Sequence, residues 1–325
     1  MTTRLGRGQC GAHLTLLFTV DNDANSPEEQ GSVGAGLCLE DGTEAIAKGE
    51  EGGPSLVVSF LGGEYETTMY DDVLEVLCSE TPEAGELAWE LSIRMGLPAS
   101  QGFGMSASGA IAAAMALQRA LGIPHEECLR RSFLVAHIVE RRNSSGLGDT
   151  TALAAGGVER RLVAGSPFSG PMLDNGPGGS EGWTLNTPVI LSWKADTGMH
   201  TSQYIDDLGW KDRISRAGKE QMDKLSVGVW DQYRWSELIE SSHSFADASG
   251  LLVDASRSAL LSIVNRAITA ANLSEVVSPL LCMLGESVVI VPRDAGSDGN
   301  FFDRLSEELE NVGLSILRSR VGSVT

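Results

Sequence analysis

The chain has 325 residues, 42% of them hydrophobic and 21% charged, a composition that excludes a disordered or collagen-like polymer and leaves enough apolar material for a core of its own. Its formal net charge is −20, with 24 basic against 44 acidic residues. That balance argues against a nucleic-acid partner, because phosphate-backbone binding needs lysine and arginine to displace counterions.

Five cysteines (Cys10, Cys38, Cys78, Cys128 and Cys282) are spread along the chain with no CxxC pair. This is neither a disulfide framework nor a zinc site, and it suits scattered thiols in a reducing cytoplasm. The opening MTTRLGRGQCGAHLTLLF has a short apolar run and no A-x-A site, so no secretory signal is expected. No stretch approaches the roughly 18 apolar residues of a membrane span.

Residues 10–20, CGAHLTLLFTV, and 32–39, SVGAGLCL, read as strands separated by the turn-forming run DNDANSPEEQG. SLVVSFL at 55–61 and EYETTMY at 64–70 read as another strand pair, with GG as a hairpin turn. From Asp71 the spacing becomes helical, in DDVLEVLCSE and then TPEAGELAWELSIRMG, where Thr81 and Pro82 suit a helix start and Gly96 its end. A glycine-rich loop, a long apolar helix to Leu121 and a second helix from Pro124 to Arg142 follow. Residues 164–187, dense in Gly, Pro, Ser and Asn, read as a linker or hairpin loop. Beyond it come the strand PVILSW, helices over 211–225, 232–248 and 251–271, a loop and strand in SPLLCMLGESVVIVP, a helix near 300–312 and a last strand LSILRSR. The mixed order predicts an α+β fold of two lobes, 1–165 and 183–325, connected by 166–182.

The stretch QGFGMSASGAIAAAMALQRALG raises the chemistry. A turn with Gly102 and Gly104 running straight into a helix aims unpaired N–H groups and the positive helix end at one spot, which suits a phosphate. It is not a dinucleotide fingerprint, since no buried strand is expected before it, nor a Walker A loop, since no Lys-Ser/Thr follows. The same residues also serve as ordinary caps and small packing residues. A second cluster, AHIVERRNSSGLGD, puts His137 and Glu140 on one helix face and Asp149 after a Gly-Leu-Gly turn. A carboxylate beside phosphates suits a Mg²⁺ ligand, and an aspartate on a rigid turn suits a base for a hydroxyl nucleophile. The alternatives are a surface pair between Glu140 and Arg141 and a helix-capping role for Asp149.

Together these residues resemble the GHMP small-molecule kinases. GFGMSASGA resembles their second signature, GLGDT with the preceding Glu140 their metal and base region, and LLCMLGESVVIV their third. Within that superfamily GAHLT, GSVGAGLCLEDG, AHIVERRNSSGLGDT with GGVERRL, HTSQYIDD and ISRAGKEQMDKL resemble the archaeal pantoate kinases. Gly11-Ala12 stands where that family has Pro-Gly, and Met105 where the wider superfamily often has serine. The resemblance implies a ribosomal-S5-like N-terminal lobe that binds ATP, a ferredoxin-like C-terminal lobe, and transfer of phosphate from ATP to the terminal hydroxyl of pantoate. By matching positions, Ser106 and Glu140 hold Mg²⁺ and Asp149 is the base. Gly102, Gly104, Ser106, Ala107 and Ser108 cradle the phosphates, while Ser32, His137 and Arg161 contact substrate. Arg161 and His137 then supply the positive charge a carboxylate substrate needs. A homodimer is compatible with this picture. The rivals are a GHMP kinase for homoserine, mevalonate or shikimate, and a non-catalytic metabolite-binding relative. Five tryptophans, Trp183, Trp193, Trp210, Trp230 and Trp235, read as packing, and His125, His200 and His243 show no partner pattern.

Overall fold

The computed structural model describes residues 3–195 and 208–322. HTSQYIDD, with His200, lies outside the described residues. The N-terminal lobe is built on two long strands, β1 (Arg4–Phe18) and β2 (Gly34–Glu51), paired antiparallel from Arg4↔Gly49 to Phe18↔Gly34. The other edge of β2 is shared by two strands. Gly34–Leu37 pair with β5 (Val158–Val163), and Thr43–Glu51 pair with β4 (Leu87–Met95). β3 (Ser55–Phe60) joins β4 in parallel, and β8 (Gly179–Trp183) joins β5, completing a six-stranded sheet.

Two sequence expectations are corrected here. TPEAGELAWELSIRMG is a single 3₁₀ turn, Pro82–Glu86, followed by β4, not a helix. Leu87, Trp89, Leu91 and Ile93 are buried on alternate positions, a period of two that outweighs the helical spacing also present in the stretch. EYETTMY is not a strand either: helix α1 (Thr68–Glu80) starts inside it. The connecting segment also holds more structure than a linker, because the short β6 (Phe168–Ser169) and β7 (Asp174–Asn175) pair with each other and β8 belongs to the first sheet.

The C-terminal lobe has a four-stranded antiparallel sheet ordered β10 (Val277–Cys282), β11 (Ser287–Pro292), β9 (Pro188–Trp193), β12 (Ser315–Arg320). Helices α5 (Leu208–Leu225), α6 (Trp235–Ala248) and α7 (Ala255–Ala270) lie between β9 and β10 in the chain, and α8 (Phe302–Asn311) between β11 and β12. This is the split β-α-β order of a ferredoxin-like lobe, as expected. The lobes share one core, in which Leu14, Leu16 and Leu17 of β1 join residues of β9 to β11 and α5 to α7. At its turn, the β10–β11 hairpin reaches the first lobe through Met283 N–H to Thr15 C=O (3.0 Å).

Helix α2 (Met105–Leu121) is buried on nearly every side, with α3 (His125–Arg142) along one flank. Its alanines let it lie directly on β1. A Cβ at Gly8 would stand 2.0 Å from the Ala112 carbonyl oxygen, and one at Gly6 2.0 Å from that of Ala116. Neither obstacle is a side chain that can swing aside, so the two glycines fix the height of α2 above the sheet. Replacing Gly8 by Ala is therefore expected to cost about 3 kcal/mol of stability, at the upper end of overpacking penalties, read as a lowered unfolding midpoint, while Ala at Gly296, where the nearest atom would lie 3.5 Å from the new Cβ, is tolerated far better.

Candidate active site

The glycine-rich loop ends in two left-handed residues, Gly102 (φ 79°) and Gly104 (φ 60°), the latter capping α2. A Cβ on Gly104 would sit 2.9 Å from the His13 carbonyl and 3.2 Å from Asp149 Oδ1, and one on Gly102 2.9 Å from the Gly285 nitrogen. The loop thus threads between β1, helix α4 (Asp149–Ala155) and the β10–β11 turn. Ser108 N–H already bonds the Gly104 carbonyl (3.1 Å), so the N–H groups of Met105, Ser106 and Ala107 are the ones at the open helix end. Ser106 lines the cleft. Ser108 does not serve phosphate as expected: its hydroxyl donates to Cys10 C=O (2.9 Å) and accepts from Thr43 N–H (3.0 Å), pinning α2 to the sheet.

Glu140, on α3, is buried beside Asp149. Ser145 donates to its Oε1 (2.7 Å), while Oε2 has no hydrogen-bond partner among the described residues and lies where a Cβ on Gly146 would meet it. Burial, reinforced by the Asp149 charge and only partly offset by Ser145 and Ser106, pushes the Glu140 carboxyl up to about 7. Glu140 is therefore not the surface partner of Arg141. An orphaned, buried carboxylate oxygen beside a serine hydroxyl is a fitting pair of ligands for a hard cation such as Mg²⁺.

Asp149, at the first turn of α4, meets His13 from β1. His13 Nδ1 lies 2.6 Å from Asp149 Oδ1, and its Nε2 lies 3.0 Å from Oε1 of Glu159 on β5. Arg161 Nη1 donates to the same Glu159 oxygen (2.7 Å). Burial works against charge on both Asp149 and His13, yet their mutual contact prevails, holding the Asp149 carboxyl below its ordinary value and the His13 imidazole above its own. Of the four side chains only Asp149 keeps solvent access, 18% against 0% for the others, so the cleft sees the aspartate alone.

Two expected substrate contacts are therefore repositioned. His137 is buried away from the cleft, with Nδ1 2.9 Å from Thr150 Oγ1 and Nε2 3.0 and 3.1 Å from the carbonyls of Pro27 and Gln30. Burial drives its pKa down to about 4, so it carries no charge to offer a carboxylate; it ties the segment before Ser32 to α3 and α4. Arg161 is fully buried against Glu159, and its Nε and Nη2 have no bond among the described residues. Only Ser32 of the three lines the cleft. A Cβ on Gly148 would lie 2.2 Å from Ser32 Oγ and 2.7 Å from Arg161 Nε, so the hydroxyl and the guanidinium flank the same backbone turn.

The cleft holds about 460 Å³. Its lining includes an aromatic and sulfur-bearing cluster of Phe60, Tyr65, Met69 and Tyr70, with Phe60 4.9 Å from Tyr65 and 5.9 Å from Tyr70 between ring centres. Thr15, Phe18, Ser32, Leu147 and Leu284 line it together with Asp149. Among the described residues no lysine, arginine or histidine lines it, so a phosphate here depends on the α2 N–H groups and a bound cation. Sequence reading missed the site roles of His13 and Glu159. The i, i+2 spacing of Glu159 and Arg161 on a strand was the available signal, since it puts both on one face; nothing in the sequence ties His13 to a residue 136 positions away.

Residues 69–157 match the family described as the GHMP kinases N terminal domain, a stretch that holds the glycine loop, Glu140 and Asp149. With the two-lobed architecture, this defines the fold as that of the GHMP kinases. Over 166 residues the chain is 34% identical to the pantoate kinase of Thermococcus kodakarensis, covering 49% of this chain and 52% of that protein. It is 28% identical to the pantoate kinase of Methanospirillum hungatei, covering 48% and 52%. The chain thus spans about half the length of the curated relatives it matches. A solved structure described as a phosphotransferase related to the CoA biosynthesis pathway superposes with a TM-score of 0.76 at 22% identity, covering 98% of this chain and 97% of the other.

The buried Glu140 makes the cation-free protein sensitive to pH. Its folded pKa lies above the unfolded value near 4.5, so stability falls as pH rises from there through about 7. Glu140→Gln removes that loss. Urea unfolding without divalent metal is expected to show a gain on the order of 3 kcal/mol at pH 8, shrinking to below about 1 kcal/mol at pH 5.

Proposed function

We propose that the chain is an ATP-dependent kinase that phosphorylates the terminal hydroxyl of pantoate, giving 4-phosphopantoate for coenzyme A synthesis. The observation that carries this reading is the convergence of the open α2 end, a Glu140 Oε2 with no partner among the described residues and an Asp149 whose second oxygen stays free of His13, brought together around Gly104 and Gly146. The motif resemblance and the two pantoate kinase relatives support the choice of acceptor.

The residues divide the work along the cleft. The wall of Phe60, Tyr65, Met69 and Tyr70 takes the nucleoside. The backbone at Gly102 and Gly104 allows close approach of the phosphates, and the N–H groups of Met105, Ser106 and Ala107 receive their charge. Glu140 and Ser106 hold Mg²⁺, which when bound neutralises the phosphate oxygens. Asp149 accepts the hydroxyl proton of the acceptor. An aspartate held below the ordinary carboxylate range is a weak base, which suits a loose phosphoryl-transfer transition state in which orienting the hydroxyl matters more than early deprotonation. Ser32 donates to the acceptor carboxylate, with the Arg161 charge directly behind it. Phe18, Leu147 and Leu284 offer an apolar surface to the branched carbon next to the reacting CH₂OH.

ADP release measured with ATP and Mg²⁺ against D-pantoate, pantothenate, homoserine, mevalonate and shikimate tests the proposal. Turnover with pantoate alone is expected; turnover with a different alcohol overturns the acceptor, and silence across the panel with ATP still bound favours a metabolite-binding protein. Asp149→Asn is expected to lower kcat by about 10²- to 10⁴-fold while ATP affinity, read by calorimetry, stays within a few-fold.

A further inference from the structure

The catalytic aspartate proposed above is the end of a chain of charges that the cleft does not see. From the surface inward run Asp149 on α4, His13 on β1, and Glu159 and Arg161 on β5. Three observations bear on the state of the imidazole in the middle. Both ring nitrogens face carboxylate oxygens, Asp149 Oδ1 at 2.6 Å and Glu159 Oε1 at 3.0 Å. Arg161 Nη1 lies 3.3 Å from Nε2 but only 2.7 Å from Glu159 Oε1, so the guanidinium has a better acceptor of its own. Further polar neighbours among the described residues are Thr15 Oγ1, 3.5 Å from Nδ1, and the cross-strand Cys38, whose buried thiol is pushed strongly towards its neutral form. A neutral ring would turn one lone pair towards a carboxylate oxygen at hydrogen-bond distance. A doubly protonated ring makes a favourable bond at each end.

Backbone packing leaves the ring little freedom. A Cβ on Gly36 would lie 2.7 Å from His13 Nε2 and 2.9 Å from Glu159 Oε1, and one on Gly104 would lie 3.2 Å from the His13 Cβ. Glycines of two separate elements thus lie close against this side chain, Gly36 at the ring and Gly104 at its Cβ. We propose that His13 is a standing imidazolium, fixed by Glu159 and Arg161, that acts as a positioning residue for Asp149: it occupies Oδ1, keeps the carboxylate ionised beside buried Glu140, and leaves Oδ2 to receive the acceptor hydroxyl. The role rests on the reading of Asp149 as the base.

The charge state is testable without any substrate. The chain has five histidines, so in ¹⁵N-histidine-labelled full-length protein the His13 signals are identified by their loss in His13→Asn. At about pH 7.5 both His13 nitrogens are expected to show the shifts of a protonated ring, and Glu159→Gln is expected to move the ring towards the neutral form at that pH. In turnover, His13→Asn is expected to lower kcat at least ~100-fold in the folded protein with ATP affinity within a few-fold of the parent, and to lower the melting temperature because Glu159 and Asp149 lose the charge between them. His13→Lys, which returns a positive charge to Asp149, is expected to recover part of the loss. A neutral His13 at pH 7.5, or an Asn variant within about three-fold of the parent kcat, overturns the proposal. If no acceptor is phosphorylated by the parent but its His13 is doubly protonated, the kinase reading fails and the assigned charge state stands.

Discussion

Helix α2 comes down on β1 until its carbonyls at Ala112 and Ala116 stand where side chains of Gly8 and Gly6 would otherwise be. The N-terminus of that helix points positive potential into a cleft that no lysine, arginine or histidine among the described residues lines, and its position follows from backbone contact with the sheet rather than from adjustable side chains. The same strand, further along, carries Thr15 to the cleft lining and His13 to its buried place behind Asp149, and accepts the β10–β11 turn at Thr15. A single strand therefore sets the distance between the phosphate end, the aspartate and the second lobe. Ser108, with its bonds to Cys10 and Thr43, locks that spacing from the helix side.

Two carboxylates buried close together need different compensation. Asp149 has it from the protein, through His13 with Glu159 and Arg161 behind. Glu140 lacks it, and its raised pKa is the measure of the missing charge. Environments that push two carboxyls apart in this way assign their tasks: one stays ionised to receive a proton, the other awaits a cation. The absence of lysine, arginine and histidine from the described cleft lining fits the same economy, since the positive charge arrives with the nucleotide's metal and from the helix end.

Much of this was legible in the sequence. Gly102 and Gly104 before an alanine-rich run predicted a tight glycine turn running into the open N-terminus of α2, and Glu140 with Asp149 predicted two carboxylates at one place. The final helix and strand fell where their patterns put them. TPEAGELAWELSIRMG misled because Thr-Pro and its three- and four-residue spacings mimic a helix, while the strand alternation of Leu87, Trp89, Leu91 and Ile93 is satisfied only once β2 and β3 flank it. His137 misled because a histidine three positions from a site glutamate shares its helix face only loosely. Whether such a ring is charged depends on neighbours such as Pro27 and Gln30 that no local pattern reveals. His13 and Glu159 were invisible as a pair for the same reason: their meeting is a product of the β1–β2–β5 sheet, not of any short stretch.

The central claim is that Asp149 and the α2 end together direct phosphate to a primary hydroxyl of a hydroxy acid. Phosphorus NMR of a reaction containing the protein, ATP, Mg²⁺ and D-pantoate tests it most directly. The expected product is a new phosphomonoester signal split into a triplet by the two protons of the terminal CH₂. A doublet, from phosphate on the secondary hydroxyl, or a signal from inorganic phosphate alone contradicts the account.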